Sequence, residues 1–386
     1  MLVTFDAMKN NPFPTNYYLG EEFFCDRETE TQTLVSGIMS GNSMTLTAIR
    51  RMGKTGLIHH VLGKLKTEML PIYLDILPTN DKTAFVKELS TAIVNAVPEK
   101  SLIGKKIWNF IKTLRPVISF DPLTGNPQVS ITGTQSDADK NIDALLKFLN
   151  DLDKKVVIAI DEFQQILAYP EKNTDAWLRS IIQTLTNVVF IFSGSQRHLI
   201  TELFSDSRRP FYRSTQILHF GSIPKNSYKQ FIIEKFQEAG KSISPEVVDD
   251  ALDWASVHTY YVQLICNRLF ANAPEEVTEK DLNLEIVKIL EEQEIVFFQY
   301  RELLTKPQWN LLMAIGLEEK VGSPTSMGFI NKYKLGSSAS VLRSLQSLEQ
   351  KEMIYSDPGE NGQKQYQVYD VLLKRWLQYK FQAHEI

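Results

Sequence analysis

Through its first 220 residues the chain alternates short apolar runs with amphipathic stretches. Residues 43–47, Ser-Met-Thr-Leu-Thr, alternate apolar and polar as a short buried strand does, and 56–62 follow with the apolar face of a helix. Residues 70–76 predict the next strand. Residues 81–96 predict a helix with Phe85, Leu89, Ile93 and Val94 on one face. A helix is expected over 137–151, where Ile142, Leu145, Leu146 and Leu149 are spaced for burial. Residues 156–160 are apolar without a break, the pattern of a strand buried on both faces of a parallel sheet. A helix over 174–185, a second fully apolar strand over 187–192 and a last one over 216–220 complete the series. Strands alternating with helices predict an α/β domain around a parallel sheet.

Three departures from this rhythm mark further parts. Residues 98–135 read as an insertion. Its two β-rich runs, 115–120 and 128–131, flank the turn Asp121-Pro122-Leu123-Thr124-Gly125-Asn126-Pro127, which predicts a hairpin that serves as surface decoration or as a partner contact. From Pro224 the pattern is helical, over about 225–239, 245–256, 258–272 and 279–300. The last part has helices over 306–319, near 325–332 and over 337–349. A hairpin follows around Asp357-Pro358-Gly359-Glu360-Asn361-Gly362. Helices followed by a β-ribbon predict a winged helix. The expected boundaries are 1–222 for the α/β core, 223–302 for a helical lid and 303–386 for the winged-helix domain.

Chemistry concentrates at the ends of two predicted strands. Ala48-Ile49-Arg50-Arg51-Met52-Gly53-Lys54-Thr55-Gly56 joins the first strand to the first amphipathic helix. A loop there can turn its N–H groups inward beside the positive end of a helix dipole, which makes a phosphate cradle. Lys54 would reach the outer phosphates as a point charge, and Thr55 would offer its hydroxyl to Mg²⁺. The pattern departs from G-x-x-x-x-G-K-[ST] at its first position, where Ala48 stands, and a methyl fits there only if that residue keeps a negative φ. About a hundred residues on, the buried strand 156–160 ends in Asp161-Glu162. Parallel sheets bind ligands at this end of their strands. Asp161 can hold Mg²⁺ through water, and Glu162 can polarise an attacking water.

With Asn11-Pro12-Phe13, the Arg27-Glu28 helix start and Ile49–Thr55 in view, the sequence resembles the archaeal-type AAA+ ATPases, the signalling (STAND) and origin-recognition-like branch of P-loop ATPases. The resemblance implies a P-loop NTPase core, a helical lid and a C-terminal winged helix, with ATP or ADP and Mg²⁺ bound between core and lid. It places Phe13, Arg27 and Glu28 near the adenine; a plain packing role for Phe13 stands beside that. It makes Ser193, at the end of the 187–192 strand, a polar sensor beside the γ-phosphate or else a strand-capping residue, with Ser195 and Gln196 as neighbours. The run Ser207-Arg208-Arg209-Pro210-Phe211-Tyr212-Arg213 matches the position of an arginine finger, which would need a neighbouring subunit. The alternative is a basic surface turn with Phe211 and Tyr212 tucked beneath. His258, at the start of the third lid helix, is either a phosphate contact or a capping or packing residue.

Composition narrows the alternatives. A formal charge of −4 argues against a surface coated in nucleic acid. Residues 305–386 hold ten Lys/Arg and eight Asp/Glu, a thin charge for a DNA-reading module, so a protein contact or switch is favoured over DNA. Two cysteines far apart, Cys25 and Cys266, fit a reducing compartment. Neither a signal pattern nor an apolar run of ~18 residues is present, so the chain is expected in the cytoplasm with no membrane partner. The expected function is an ATP-hydrolysing molecular switch, possible as a homo-oligomer. The alternative is a nucleotide-sensing adaptor for DNA or protein.

Overall fold

The computed structural model describes residues 11–114, 116–131, 135–359 and 362–381. Arg115, Glu360 and Asn361 of the two expected hairpins lie outside these. The chain divides into two compact units. One is residues 16–223; the other joins residues 11–15 to everything from Pro224 onward.

The first unit is the α/β domain. It runs α1 (Glu28–Met39), β1 (Met44–Thr47), α2 (Lys54–Leu65), β2 (Leu70–Asp75), α3 (Lys82–Asn95), α4 (Leu102–Thr113), β3 (Pro116–Phe120), β4 (Pro127–Ile131), α5 (Gln135–Asn150), β5 (Val156–Asp161), α6 (Thr174–Ile182), β6 (Val188–Gly194), α7 (Arg197–Ser205) and β7 (Gln216–His219). Five strands form one wholly parallel sheet in the order β2-β5-β6-β1-β7. Alternation along each strand divides the core in two. Leu46, Val157, Ala159 and Ile191 face α1 and α2, whereas Ile72, Ile158, Phe190 and Phe192 join residues of α3, α5 and α7 on the other face. All six residues of β5 are buried, which accounts for its unbroken apolar sequence.

The inserted segment contains a helix that periodicity did not reveal. Ser101 caps α4 by accepting from Gly104 N at 2.9 Å, and Ile107 and Ile111 are wholly buried. The hairpin β3–β4 forms its own two-stranded sheet on α3, with Val129 buried and β3 exposed.

The second unit is mainly helical: α8 (Lys225–Glu238), β8 (Ser242–Ile243), α9 (Pro245–Trp254), α10 (Thr259–Asn272), β9 (Glu276–Val277), α11 (Glu279–Leu303), α12 (Lys306–Leu317), α13 (Met327–Tyr333), α14 (Ser338–Gln350), β10 (Ile354–Pro358), β11 (Lys364–Val368) and α15 (Val371–Phe381). Reciprocal caps open the two central helices, Thr278 with Asp281 at α11 and Thr305 with Gln308 at α12. The β10–β11 ribbon is extended by Val321, which exchanges both backbone hydrogen bonds with Tyr366 at 3.0 and 2.9 Å. With α12, α13 and α14 this is the expected winged helix. The closing helix α15 was not anticipated. It carries Lys374, whose Nζ donates to Ser256 Oγ at 2.8 Å, and Arg375, which donates to the carbonyls of Trp254 at 2.7 Å and Asp253 at 2.6 Å. Both side chains hold the turn between α9 and α10.

Residues 11–15 depart from expectation. Phe13 is 0% exposed, its ring 5.4 Å from Phe236 and 6.1 Å from Phe270. Asn11 and Asn267 tie the segment down by reciprocal bonds to backbone carbonyls at 2.9 and 2.8 Å. Apolar packing accounts for the ring, the second of the two roles expected of it. Among the described residues, no helix is long and apolar enough to cross a membrane.

Candidate functional site

The loop after β1 turns into α2 through Gly53, whose φ of 95° is a left-handed conformation costly to a side chain. Arg51 adopts the same region at φ 63°. No side chain caps α2, so the positive end of its dipole keeps the anion-binding character that a loop of this kind offers. Ala48 is 4% exposed and keeps a negative φ, so its methyl is accommodated. Lys54 lies folded inward, its Nζ donating to the carbonyls of Ala48 at 3.1 Å and Ile49 at 3.0 Å. A cation parked on two loop carbonyls can exchange them for phosphate oxygens without crossing the fold. Met52 is buried, Arg50 and Arg51 are exposed, and Gly56 sits where a Cβ would meet only the Phe24 ring at 3.8 Å.

Arg27 is a buried strut. It is 4% exposed, and it donates to Gly221 O at 2.7 Å, Glu30 at 2.8 Å and Met52 O at 3.4 Å, with Phe220 beneath the guanidinium at 4.8 Å. Its hydrogen bonds go to the loop and the chain after β7, so it braces the cradle from behind.

The sheet order sets the acid. β6 lies between β1 and β5, so the loop and Asp161 are one strand apart and Ser193 comes up between them. Asp161, 4% exposed, accepts from Thr55 Oγ1 at 2.7 Å, from Tyr73 OH at 3.2 Å, from Glu162 N at 3.0 Å and from Ser193 Oγ. Burial and the Asp161 carboxylate push the Tyr73 phenol above its ordinary value, so it remains a donor. His59, one turn beyond Thr55, sets its ring 4.3 Å from that of Tyr73 at a 44° tilt; burial pulls its pKa down against the pull of Asp161. Asp75, at the tip of β2, is raised by burial.

These oxygens suit a hard cation. Two ligands on adjacent corners of an octahedron with ~2.1 Å metal–oxygen bonds lie ~3.0 Å apart. The Thr55 hydroxyl and the Asp161 carboxylate, at 2.7 Å, are close to that spacing.

Glu162 has left-handed backbone, φ 56° and ψ 37°, which turns its side chain out of the strand line. One carboxylate oxygen, Oε2, accepts from Gln164 Nε2 at 2.5 Å, Ser195 Oγ at 2.8 Å and Ser195 N at 3.1 Å. Tyr73 and Gln164 were missed by sequence reasoning. Tyr73 stands two residues before a strand's end, a position that tells nothing of the acid it meets. Gln164 falls in a short 3-10 turn with no periodic signal.

The arginine-rich turn is mostly accounted for within the chain. Arg208 pairs with Asp206 and Arg209 with Glu202, while Phe211 is buried against Phe163, Phe192 and Phe204. Arg213 is exposed with φ 51°, its guanidinium 5.2 Å from the Tyr212 ring centre, and among the described residues no ion pair is recorded for it. His258 belongs to the second unit, at the N-cap of α10, 8% exposed and 4.9 Å from the Tyr261 ring.

Comparison with known proteins agrees with this architecture. Residues 24–262 match a family described as an ATPase domain predominantly from Archaea, and residues 295–379 one described as a probable winged helix domain. A Walker-type ATPase of Pyrococcus abyssi superposes with a TM-score of 0.66 at 16% identity, over 95% of this chain and 99% of that one. The ORC2 protein of Aeropyrum pernix, in its ADPNP–ADP complexes, gives 0.55 at 12% identity, over 97% and 98%. No curated protein sequence matches. The chain is a nucleotide-binding, ATP-hydrolysing enzyme. Since the first match spans loop, acid and the start of the helical unit, well over half the residues, the chain belongs to the family of ATPases found predominantly in Archaea.

Proposed function

We propose that the chain is a Mg²⁺-dependent molecular switch in which ATP binding and hydrolysis move the lid and winged helix. The observation that carries this reading is the 2.7 Å hydrogen bond from Thr55 to Asp161, which ties the loop to the acidic strand tip. Lys54 leaves its two carbonyls for the β- and γ-phosphates, while the N–H groups from Arg50 to Gly56 cradle them. Thr55 and Asp161 would hold the metal, which would supply neutralisation of the charge developing on the transferred phosphoryl group. Glu162 orients water for in-line attack and takes its proton, with Gln164 and Ser195 fixing the carboxylate. Ser193 keeps Asp161 in place and senses the γ-phosphate. Arg213 acts as a finger only in trans, in a homo-oligomer.

Movement reaches the winged helix through the Lys374 and Arg375 contacts to the α9–α10 turn, whose far end is His258. The same two cations favour a protein contact or internal switch over DNA: two of the ten basic residues of the module are turned inward. Only Arg343 and Gln346 are the exposed polar side chains in the middle of α14. Cys25 and Cys266, both buried and neither in a disulfide, suit a cytoplasmic protein.

The test is nucleotide affinity measured with Mg²⁺ and with a chelator. Lys54→Ala is expected to lose ATP binding under both conditions. Thr55→Ala and Asp161→Asn should keep metal-free binding and lose the gain that Mg²⁺ brings. Unchanged Mg²⁺ dependence in both would refute the assignment.

A further inference from the structure

We propose that the free edge of β3 receives an extended, acidic segment of a protein partner as an added strand. The hairpin is a ribbon with two edges, and they are treated differently. The outer edge of β4 is satisfied by α3: Val129 N donates to Thr91 Oγ1 at 3.0 Å, Thr91 Oγ1 donates to Val129 O at 3.5 Å, and Asn95 Nδ2 donates to Pro127 O at 3.3 Å. Val129 therefore turns its backbone groups away from β3. Its antiparallel partner Ile118 must turn its own N–H and C=O away from β4, and so must Phe120 opposite Pro127. These groups form an open edge, the template for strand addition.

Side chains add the second half of the site. Ile118 is 40% and Phe120 68% exposed, with Val117 and Leu123 also exposed. Ile118 and Phe120 line a cleft of about 590 Å³ together with Trp108 and Lys112 of α4, the C-terminal end of α3 and Pro127. A strand laid along β3 would place alternate side chains in this cleft, which suits large apolar residues. The charge of α4 selects the rest of the partner. Lys105 and Lys112 are exposed and the helix has no acid, although Lys106 is paired with Asp153 at 2.6 Å and Glu99 also lines the cleft. Acidic residues between the apolar ones meet this field, whereas a second copy would set lysines against lysines. An anionic bilayer would suit the lysines, but the open backbone groups of β3 would go unsatisfied in hydrocarbon.

The probe is an N-acetylated, C-amidated nine-residue peptide in which Glu alternates with Val and Phe, titrated into the full chain. Binding is expected at micromolar concentration, with slowed hydrogen exchange at the Ile118 and Phe120 amides. Replacing Glu by Lys, or methylating the alternate backbone amides that face β3, should weaken it at least tenfold. Ile118→Pro removes one outward N–H and leaves the β3–β4 ladder intact, and Lys112→Glu reverses the nearest charge; each should weaken the peptide tenfold and leave ATP hydrolysis unchanged. The proposal is overturned by any of four results: no binding, equal binding by the methylated peptide or by Ile118→Pro, a dimer in sedimentation that already protects the Ile118 amide, or protection that appears on phosphatidylserine vesicles and not with the peptide.

Discussion

Gln164 shows how much of the site lies below the level of motifs. It is 4% exposed, its amide N–H holds Glu162, and its carbonyl oxygen presses on Gly194, where a Cβ would stand 1.9 Å away. Gly194→Ala therefore has to displace Gln164 and the Ile200 side chain. Steady-state kinetics of that variant should show turnover at least tenfold lower with nucleotide affinity preserved; a parallel loss of affinity would mean the strand itself had shifted. The residues of the loop and the strand tip were legible because their chemistry demands a fixed spacing. Gln164 and Tyr73 were not, because their partners come from other strands. Lys374 offers a test by pH. Burial first, then Arg375, pull its ammonium down to about 8 from 10.5. Below pH 8 both folded and unfolded chains carry the proton. Between 8 and 10.5 the folded lysine is neutral and the unfolded one charged, so stability rises with pH across this window. The span is on the order of 3 kcal/mol at 1.36 kcal/mol per unit. Urea midpoints should show Lys374→Met gaining most over the parent at pH 7, with the gap narrowing towards pH 10.

Among the elements, the strands were read well and the insertion poorly. β5 and β6 announce themselves because strands buried on both faces tolerate few polar residues, and β1 shows itself by alternation. Their order does not appear in sequence, and it is the order that brings Ser193 of β6 between the loop and Asp161. Helix α4 was missed because its buried stripe is narrow: Gly104, Ile107 and Ile111 among lysines and aromatics. The turn 207–213 was read in two ways, and Phe211 decides what holds it. Its ring, 1% exposed, packs within 5.3–5.6 Å of Phe163, Phe192 and Phe204. Phe211→Ala is expected to cost about 3–5 kcal/mol in chemical denaturation. A loss under 1 kcal/mol would mean that the ion pairs of Arg208 and Arg209 hold the turn instead.

At the scale of the whole molecule, the chain begins its described course in the helical unit, passes through the α/β unit and returns. Sequence could not disclose this, since Asn11-Pro12-Phe13 carries no mark of the helices it packs on. Within the helical unit, Lys374 and Arg375 bind the closing helix to the α9–α10 turn, so that lid and winged helix form a single contact-defined body. Everything claimed for that body as a switch depends on turnover at the strand tip. The direct test is phosphate release by Glu162→Gln saturated with Mg²⁺ and ATP. The account predicts a rate at least a hundredfold below the parent chain, with ATP still bound at near-parental affinity. Release at the parental rate would contradict it.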